Sequence, residues 1–313
     1  MKNKCLYCYQ ELESTADFHE KCSKKFFGTP EPPMLDYSLN EMGEMAKRIV
    51  ERSVSVPGVQ PKLSMSVVKD ATSKPEGRLT VVGVLGGNYI FKPPPDYYVE
   101  MPENEHVTMR IAEAFGIPVV ESTLIRLKSN ELCYLTKRID RTKTGEKIHM
   151  LDMFQITEAF DKYKSSMEKV GKAIKSYSEN TLLDLVYLFE ITMFSYLTGN
   201  NDMHLKNFSM IRTTSGWSIA PAYDLLNVRI VNPEDKEELA LTLGGKKKKL
   251  TRAYFEQFGE GLALTPKQVE GVFKRFAKNK STAINWINNS FLSDEMKQAY
   301  LSLLEERYEK LMI

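Results

Sequence analysis

The sequence predicts an α+β protein of two lobes, strands first and helices after, led by a small cysteine/histidine segment. Three observations predict it. Short alternating apolar runs bounded by Gly and Pro fill the chain as far as Lys137. Apolar residues at helical spacing dominate from Ile148 onward. Cys5, Cys8, His19 and Cys22 stand together before either pattern begins. The expected divisions are residues 1–30, a Cys3His segment; 31–140, a strand-rich N-lobe; and 141–313, a helical C-lobe.

Bulk properties narrow the class. At 313 residues the chain can bury a large core. A net charge of +2 provides no global field for nucleic acid or membrane. No apolar run reaches the ~18 residues that span a bilayer, and Met1–Cys5 is followed by no signal-peptide core. Four cysteines in so long a chain are not a secreted disulfide framework, so the expected compartment is the cytoplasm.

Cys5, Cys8, His19 and Cys22 read C-x2-C-x10-H-x2-C, a regular donor set for a tetrahedral, structural zinc ion. The plainer alternative is reduced cysteines packed as small apolar residues. Cys133, in the strand-like run Leu132–Thr136, reads as a buried and inert thiol. Thr29–Pro33 carries three prolines and reads as a linker. Ser38–Arg52 is an amphipathic helix, with Ser38 as N-cap and Glu41 three residues on.

Ser53–Lys62, S-V-S-V-P-G-V-Q-P-K, is too polar and proline-rich for a core strand. By itself it is an ordinary proline turn or a loop whose backbone N–H groups lie over phosphates. Leu63–Lys69 alternates as a strand. Leu79–Leu85 and Asn88–Lys92 look like two strands joined by a tight turn at Gly86–Gly87. Lys92, at the end of the second, is placed either as a solvated edge residue or to meet nucleotide phosphates, as the β3 lysine of kinases does. Asn104–Phe115 is helical, and Glu105 near its start is placed either to pair with Lys92 or simply to favour the helix dipole. Val119–Leu127 and Leu132–Lys137 are strands, leading into the polar Arg138–Arg141.

In the second half, His149–Phe160 reads as helical and Leu182–Leu197 as a fully apolar core helix. The polar loop Gly199–Ser209, G-N-N-D-M-H-L-K-N-F-S, follows and precedes a strand at Met210–Ile211. Asp202 and Asn207 are five apart, the Asp–Asn spacing of the protein-kinase catalytic loop, with His204 and Lys206 between them. A carboxylate accepts the proton of an attacking hydroxyl, and an amide oxygen holds Mg²⁺. A second acidic metal ligand is expected downstream, and Asp224 stands in A-Y-D-L-L. An Asp that merely caps a turn is the plainer reading of a bare Asp–Asn pair. Lys246–Lys249, after Gly244–Gly245, is a basic exposed turn, read as a solvated face or as a substrate-docking patch. Three amphipathic helices fill Thr265–Ile313.

These pieces together resemble the HipA-like serine/threonine kinases, toxins of bacterial toxin–antitoxin systems. The resemblance rests on S-V-P-G-V-Q-P-K at Ser55–Lys62, Y-I-F-K-P at Tyr89–Pro93, N-E-H at Asn104–His106, K-R-I-D-R at Lys137–Arg141, D-M-F-Q at Asp152–Gln155, N-D-M-H-L-K-N-F-S at Asn201–Ser209 and Y-D-L at Tyr223–Leu225. It implies a bilobal protein-kinase-like fold using ATP and Mg²⁺. It implies Asp202 as general base, Asn207 and Asp224 as Mg²⁺ ligands, and His204 within the catalytic set. Lys92, with Glu105, is implied at the ATP phosphates, and Val56, Gly58, Val59 and Gln60 in the phosphate loop. Backbone groups of Lys137 and Ile139 are implied at adenine, with Asp140 near the ribose. Ser55 and Ser53 match positions autophosphorylated in relatives, which shuts off ATP binding.

Pro57 departs from the small residue usual in relatives, and Leu225–Leu226 replaces the Phe–Gly of ordinary kinases. The Cys/His segment stands where full-length HipA has a long N-terminal subdomain, so the chain looks more like the short HipT branch. The resemblance implies a HipB-like DNA-binding protein and a HipS-like small protein as antitoxin partners, and a translation protein such as an aminoacyl-tRNA synthetase as target. Rival readings are a nucleotide-binding pseudokinase, a small-molecule kinase and, more weakly, a DNA-binding regulator.

Overall fold

The computed structural model describes residues 3–13, 15–52, 62–69, 75–82, 86–142 and 144–313. The chain divides into two compact units. One comprises Met1–His106, Val120–Lys147 and Asn289–Phe291; the other comprises Val107–Val119, Ile148–Asn288 and Leu292–Ile313. The class is α+β, with the sheet of five strands in the first unit and most helices in the second. Among the described residues no helix is long and apolar enough to cross a membrane.

In the first unit α1 (Glu20–Phe27) and α2 (Leu39–Arg52) precede β1 (Leu63–Val68), β2 (Arg78–Val81) and β3 (Tyr89–Lys92). Helix α3 (Met101–Ala114) follows, belonging to this unit as far as His106 and to the second from Val107, and then β4 (Ser122–Arg126) and β5 (Leu132–Lys137). The expected capping box of α2 is present: Ser38 N and Oγ both donate to Glu41 Oε2 at 2.7 Å, and Glu41 N donates back to Ser38 Oγ at 3.4 Å.

The sheet runs β2-β1-β3-β5-β4, with every neighbour antiparallel. This corrects the hairpin expected from Gly86–Gly87. β2 and β3 do not pair with each other; β1 lies between them, with Met65 opposite both Val81 and Tyr89. A tight-turn signal is local, whereas strand order is decided by which apolar faces bury together. Leu63, Met65, Leu79, Phe91 and Leu135 share one buried face, and Leu124 and Tyr134 are buried on the other.

The second unit contains β6 (Met150–Asp152), α4 (Met153–Ile156), α5 (Met167–Tyr177), α6 (Thr181–Leu197), β7 (Ser209–Thr213), β8 (Gly216–Ile219), α7 (Val228–Val231), α8 (Arg252–Gly261), α9 (Pro266–Lys278), α10 (Lys280–Asn289) and α11 (Asp294–Leu311). The continuous helix expected over His149–Phe160 is replaced by a strand and one helical turn. Met150–Asp152 pairs with Ile211–Ser209, and Asp152 then caps α4 in a reciprocal box with Gln155. Ladder pairing with β7 outweighs the weak helical propensity of so short a run. Helix α6 is apolar on most sides and buried from Asp184 onward, except at half-buried Val186, while Leu182 and Leu183 in its first turn are exposed.

Glu103, in the first turn of α3, is half-buried, and that burial raises its carboxyl from 4.5 to about 7. The folded state therefore holds the proton more tightly than the unfolded chain. The associated stability is fully present below about pH 4.5 and is lost as pH rises through about 7. Glu103→Gln is expected to raise the thermal midpoint relative to the parent near pH 8, with the gap closing toward pH 4. A gap independent of pH would contradict it.

Candidate functional site

Helix α6 delivers the chain into the loop, and Gly199 makes the turn. Its φ is +68°, and a Cβ there would meet Leu303 Cδ2 at 2.4 Å and Asn227 Oδ1 at 2.8 Å, so only glycine fits. The Gly199 carbonyl accepts from Val228 N at 3.1 Å and Arg229 N at 3.3 Å, which ties the loop to the start of α7. Buried Asn200 accepts from Asp202 N at 3.3 Å, and Asn201 Nδ2 donates to the Glu237 carbonyl at 3.1 Å.

Asp202 and Asn207 are brought together as their spacing suggested. Asn207 Nδ2 donates to the Asp202 carbonyl at 2.9 Å, and Asn207 N donates to the His204 carbonyl at 2.9 Å. With its nitrogen so used, Asn207 keeps its amide oxygen as the acceptor for a cation. The Asp202 carboxylate is 43% exposed, so it remains open to a substrate. His204 is buried, and burial lowers its imidazole below the usual value despite Asp202 Oδ1 at 4.0 Å from Nε2. It is a neutral, packed ring rather than a cation.

Asp224 follows β8 with φ +56°, a left-handed backbone that aims it away from the strand direction. The preceding residue is anchored on both flanks of Asn207: Tyr223 Oη lies 2.5 Å from Ser209 Oγ and donates to the Lys206 carbonyl at 3.1 Å. Asp202, His204, Asn207 and Asp224 are thus grouped within the second unit.

Two supports were not read from the sequence. Tyr163 Oη donates to Asp202 Oδ1 at 2.6 Å, and its ring meets His204 edge-on with centroids 5.0 Å apart. Burial, then the Asp202 bond, raises the Tyr163 phenol, so it stays a donor at neutral pH. Asp184, buried in the first turn of α6, accepts from Ser178 Oγ at 2.6 Å, Ser218 Oγ at 2.9 Å and Ile219 N at 2.8 Å. It pins β8, from which Asp224 is presented. Tyr163 lies 39 residues from Asp202, and Asp184 lies 35 from Ile219, so no local pattern could have signalled either.

The first unit holds the other residues. Lys92 and Glu105 are both buried, and Lys92 Nζ donates to Glu105 Oε1 at 2.6 Å. Lys92 is therefore not a solvated edge residue. Its Nζ also lies 5.3 Å from the Tyr134 ring centroid, directly across the sheet. Lys137 ends β5, pairs with Glu121 and lies 5.1 Å over the Phe26 ring. Asp140 is gripped by Arg138 at 2.7 Å and Arg141 at 2.5 Å. Burial acts to raise the Asp140 carboxyl, but those two cations outweigh it and hold it below the ordinary value. Val56, Gly58, Val59, Gln60, Ser53 and Ser55 lie outside the described residues.

The donor atoms of Cys5, Cys8, His19 and Cys22 also converge, all within 4.8 Å of one another. The hydrogen bond between Cys8 and Cys5 lowers the Cys5 thiol and raises that of Cys8, so the pair shares one proton unequally. Cys133 is fully buried, and burial raises its thiol far above the usual value, which fits an inert packing role.

The geometry defines a class: an α+β protein with a carboxylate and an amide on one tight loop and a second carboxylate in the segment after the next two strands. The chain belongs to the HipA-like C-terminal domain family, which matches residues 54–284. A protein of Haemophilus influenzae named as a candidate kinase is 31% identical over 241 residues, covering 72% of this chain and 65% of the relative. The serine/threonine-protein kinase toxin HipA of Shewanella oneidensis is 26% identical over 212 residues, covering 61% of this chain and 46% of the toxin. The chain thus spans only part, 46–65%, of the curated relatives it matches. Among solved structures, HipA in its complex with HipB and operator DNA, also from Shewanella oneidensis, has TM-score 0.69. Identity there is 22%, covering 83% of this chain and 65% of the other. The Helicobacter pylori proinflammatory kinase CtkA has TM-score 0.54 at 19% identity, covering 72% and 87%.

Asp184→Ala would leave two hydroxyls and one backbone N–H unpaired in a buried place. The expected loss is about 3 kcal/mol of unfolding free energy, read by chemical denaturation, against a smaller loss for Asp184→Asn. Equal stability of Asp184→Ala and the parent would contradict the pinning role.

Proposed function

We propose that the chain is an ATP- and Mg²⁺-dependent kinase that phosphorylates serine or threonine of a protein, as part of a toxin–antitoxin system. The observation that carries the reading is the loop on which Asp202 stays open while Asn207 turns its amide nitrogen inward, in a chain of the HipA-like family.

In this reading Asp202 accepts the hydroxyl proton of the substrate as the oxygen attacks phosphorus. Tyr163 holds one carboxylate oxygen, which aims the other. His204 stays neutral and packs the loop. Asn207 and Asp224 hold Mg²⁺, which when bound neutralises charge on the phosphates. Lys92 reaches the phosphates, with Glu105 fixing its direction. Val56, Gly58, Val59 and Gln60 form the phosphate loop; the backbone at Lys137 and Ile139 meets adenine, and Asp140 lies near the ribose. Positioning and charge neutralisation supply most of the rate in such reactions. The Cys5, Cys8, His19 and Cys22 set holds a structural Zn²⁺ and takes no part in the chemistry.

A phosphate on Ser53 or Ser55 would carry nearly two negative charges on the phosphate loop and repel the nucleotide. Autophosphorylation there is the proposed off-switch. The substrate is proposed to be a translation protein such as an aminoacyl-tRNA synthetase. The complex of the Shewanella oneidensis HipA with HipB and DNA supports a HipB-like partner here as well, and a HipS-like small protein is the second candidate.

Purified chain incubated with labelled ATP is expected to incorporate phosphate at Ser53 or Ser55, located by mass spectrometry. Asp202→Ala is expected to lower transfer by about 10²- to 10⁴-fold while keeping its thermal midpoint. Transfer near the parental rate would remove Asp202 from the role of base. ATP binding with no transfer to any protein would instead indicate a binding module.

Tyr163→Phe removes one hydrogen bond worth about 1 kcal/mol. It is expected to lower kcat about fivefold with little change in KM for ATP. A change in KM alone would place Tyr163 in substrate binding rather than in aiming the base.

A further inference from the structure

The Cys/His cluster has the dimensions of a single-ion site. Thiolates at about 2.3 Å from one zinc at tetrahedral angles stand about 3.8 Å apart. Here His19 Nδ1 lies 3.4 Å from Cys8 Sγ and 3.9 Å from Cys22 Sγ. The other ring nitrogen, Nε2, lies 3.0 Å from the Glu11 carbonyl, which can only accept. That contact puts the ring proton on Nε2 and leaves Nδ1 as the ligand atom, the usual outer support of a metal-bound histidine. Three thiolates and one imidazole in a closed tetrahedron suit Zn²⁺.

The cluster does not end at its ligands. The turn from Cys5 to Cys8 runs into Tyr9, held at φ +61° with its N–H donating to the Cys5 carbonyl at 2.9 Å. Tyr9 is buried, and its hydroxyl lies 2.7 Å from His106 Nδ1. His106 is the residue after Glu105 on α3. Its ring meets the Tyr134 ring, with centroids 6.4 Å apart, and Lys92 Nζ lies over that same ring. From Cys22 a second path leaves along α1. Phe26, one turn on, packs against Tyr7 of the Cys5–Cys8 turn at 6.3 Å and Tyr89 at 5.9 Å. Tyr89 begins the strand that Lys92 ends.

We propose that this Zn²⁺ centre buttresses the buried Lys92–Glu105 pair through Tyr9–His106 and Phe26–Tyr89, so that metal occupancy sets the order of the nucleotide-facing strand. The consequence for ATP rests on the kinase reading; the mechanical coupling does not. Residues 3–28 are too few to form a core of their own. With metal the turn and α1 have fixed positions, and Tyr9 and Phe26 brace both elements that carry the ion pair. Without it the ordering of that segment is no longer offset by ligand bonds, and the brace loosens. The buried pair then gains water, and Lys92 samples more than one direction.

The test uses the full chain, as purified and after stripping with a chelator. Elemental analysis is expected to find about one zinc per chain. Hydrogen exchange of Tyr89–Lys92 and Asn104–His106 is expected to quicken about tenfold on stripping, while Thr181–Leu197 is unchanged. Tyr9→Phe is the second arm, which separates loss of the brace from unfolding of the stripped protein as a whole. It keeps all four ligands, so zinc should stay bound while exchange in the same two segments quickens and ATP binds several-fold more weakly. Protein that is purified reduced and carries no zinc overturns the proposal, as does zinc-loaded Tyr9→Phe with parental exchange in both segments. Zinc-loaded chain that responds in exchange but binds no ATP upholds the buttress and defeats the kinase reading.

Discussion

A buried positive charge has to meet a negative one, and in this protein that demand falls on Lys92. Removing one partner of such a pair strands the other in a low-dielectric interior at a cost of about 3–5 kcal/mol. The strand that ends in Lys92 and the helix turn that carries Glu105 are therefore held at one separation. Around that contact the first unit is assembled: Tyr134 across the sheet, His106 next along α3, and Tyr9 from the Cys/His segment behind it. A hydrophobic isostere would fold as well or better. A buried ion pair is weak evidence for stability, and in the proposed kinase reading its lysine faces the nucleotide phosphates.

The second unit solves a different problem. A polar loop at the end of an apolar helix must satisfy its own backbone without secondary structure. It does so through Gly199, Asn200, Asn201 and the Asn207 amide, each bonded to a main-chain group or loop neighbour. The result is a loop tied down by its own hydrogen bonds, on which the Asp202 carboxylate stays part-exposed and is braced by Tyr163. Asp224 is presented separately, by a short strand that Asp184 holds from below and by Tyr223 tied to both sides of Asn207. Two carboxylates and an amide from different stretches are thus held by hydrogen bonds from separate elements, the kind of preorganisation that electrostatic catalysis requires.

Much of this was legible from residue order. Asp202 with Asn207, Lys92 with Glu105, and the four Cys/His donors each announced a chemistry by type and spacing, and the structure brings each of these sets together. The apolar helix before the loop and the capped helix at Ser38 followed from periodicity and cap chemistry. What failed were inferences about partners. Gly86–Gly87 suggested a hairpin, yet β1 takes both strands. His149–Phe160 suggested a helix, yet β7 draws Met150–Asp152 into a ladder. Tyr163, Asp184 and Tyr9 were silent, because a tyrosine or aspartate without a motif around it has no signature until its acceptor is beside it.

The amino-acid order by itself determined the donor sets, the family and the α+β class, since these depend on residue type and on separations of a few positions along one chain. Tertiary structure alone decided the strand order, the burial that makes Lys92 an ion-pair partner, the neutrality of His204, and the braces from Tyr9, Tyr163 and Asp184. Each of those depends on groups distant in sequence sharing one low-dielectric space, and burial is a property of the packed whole that no short window of residues contains.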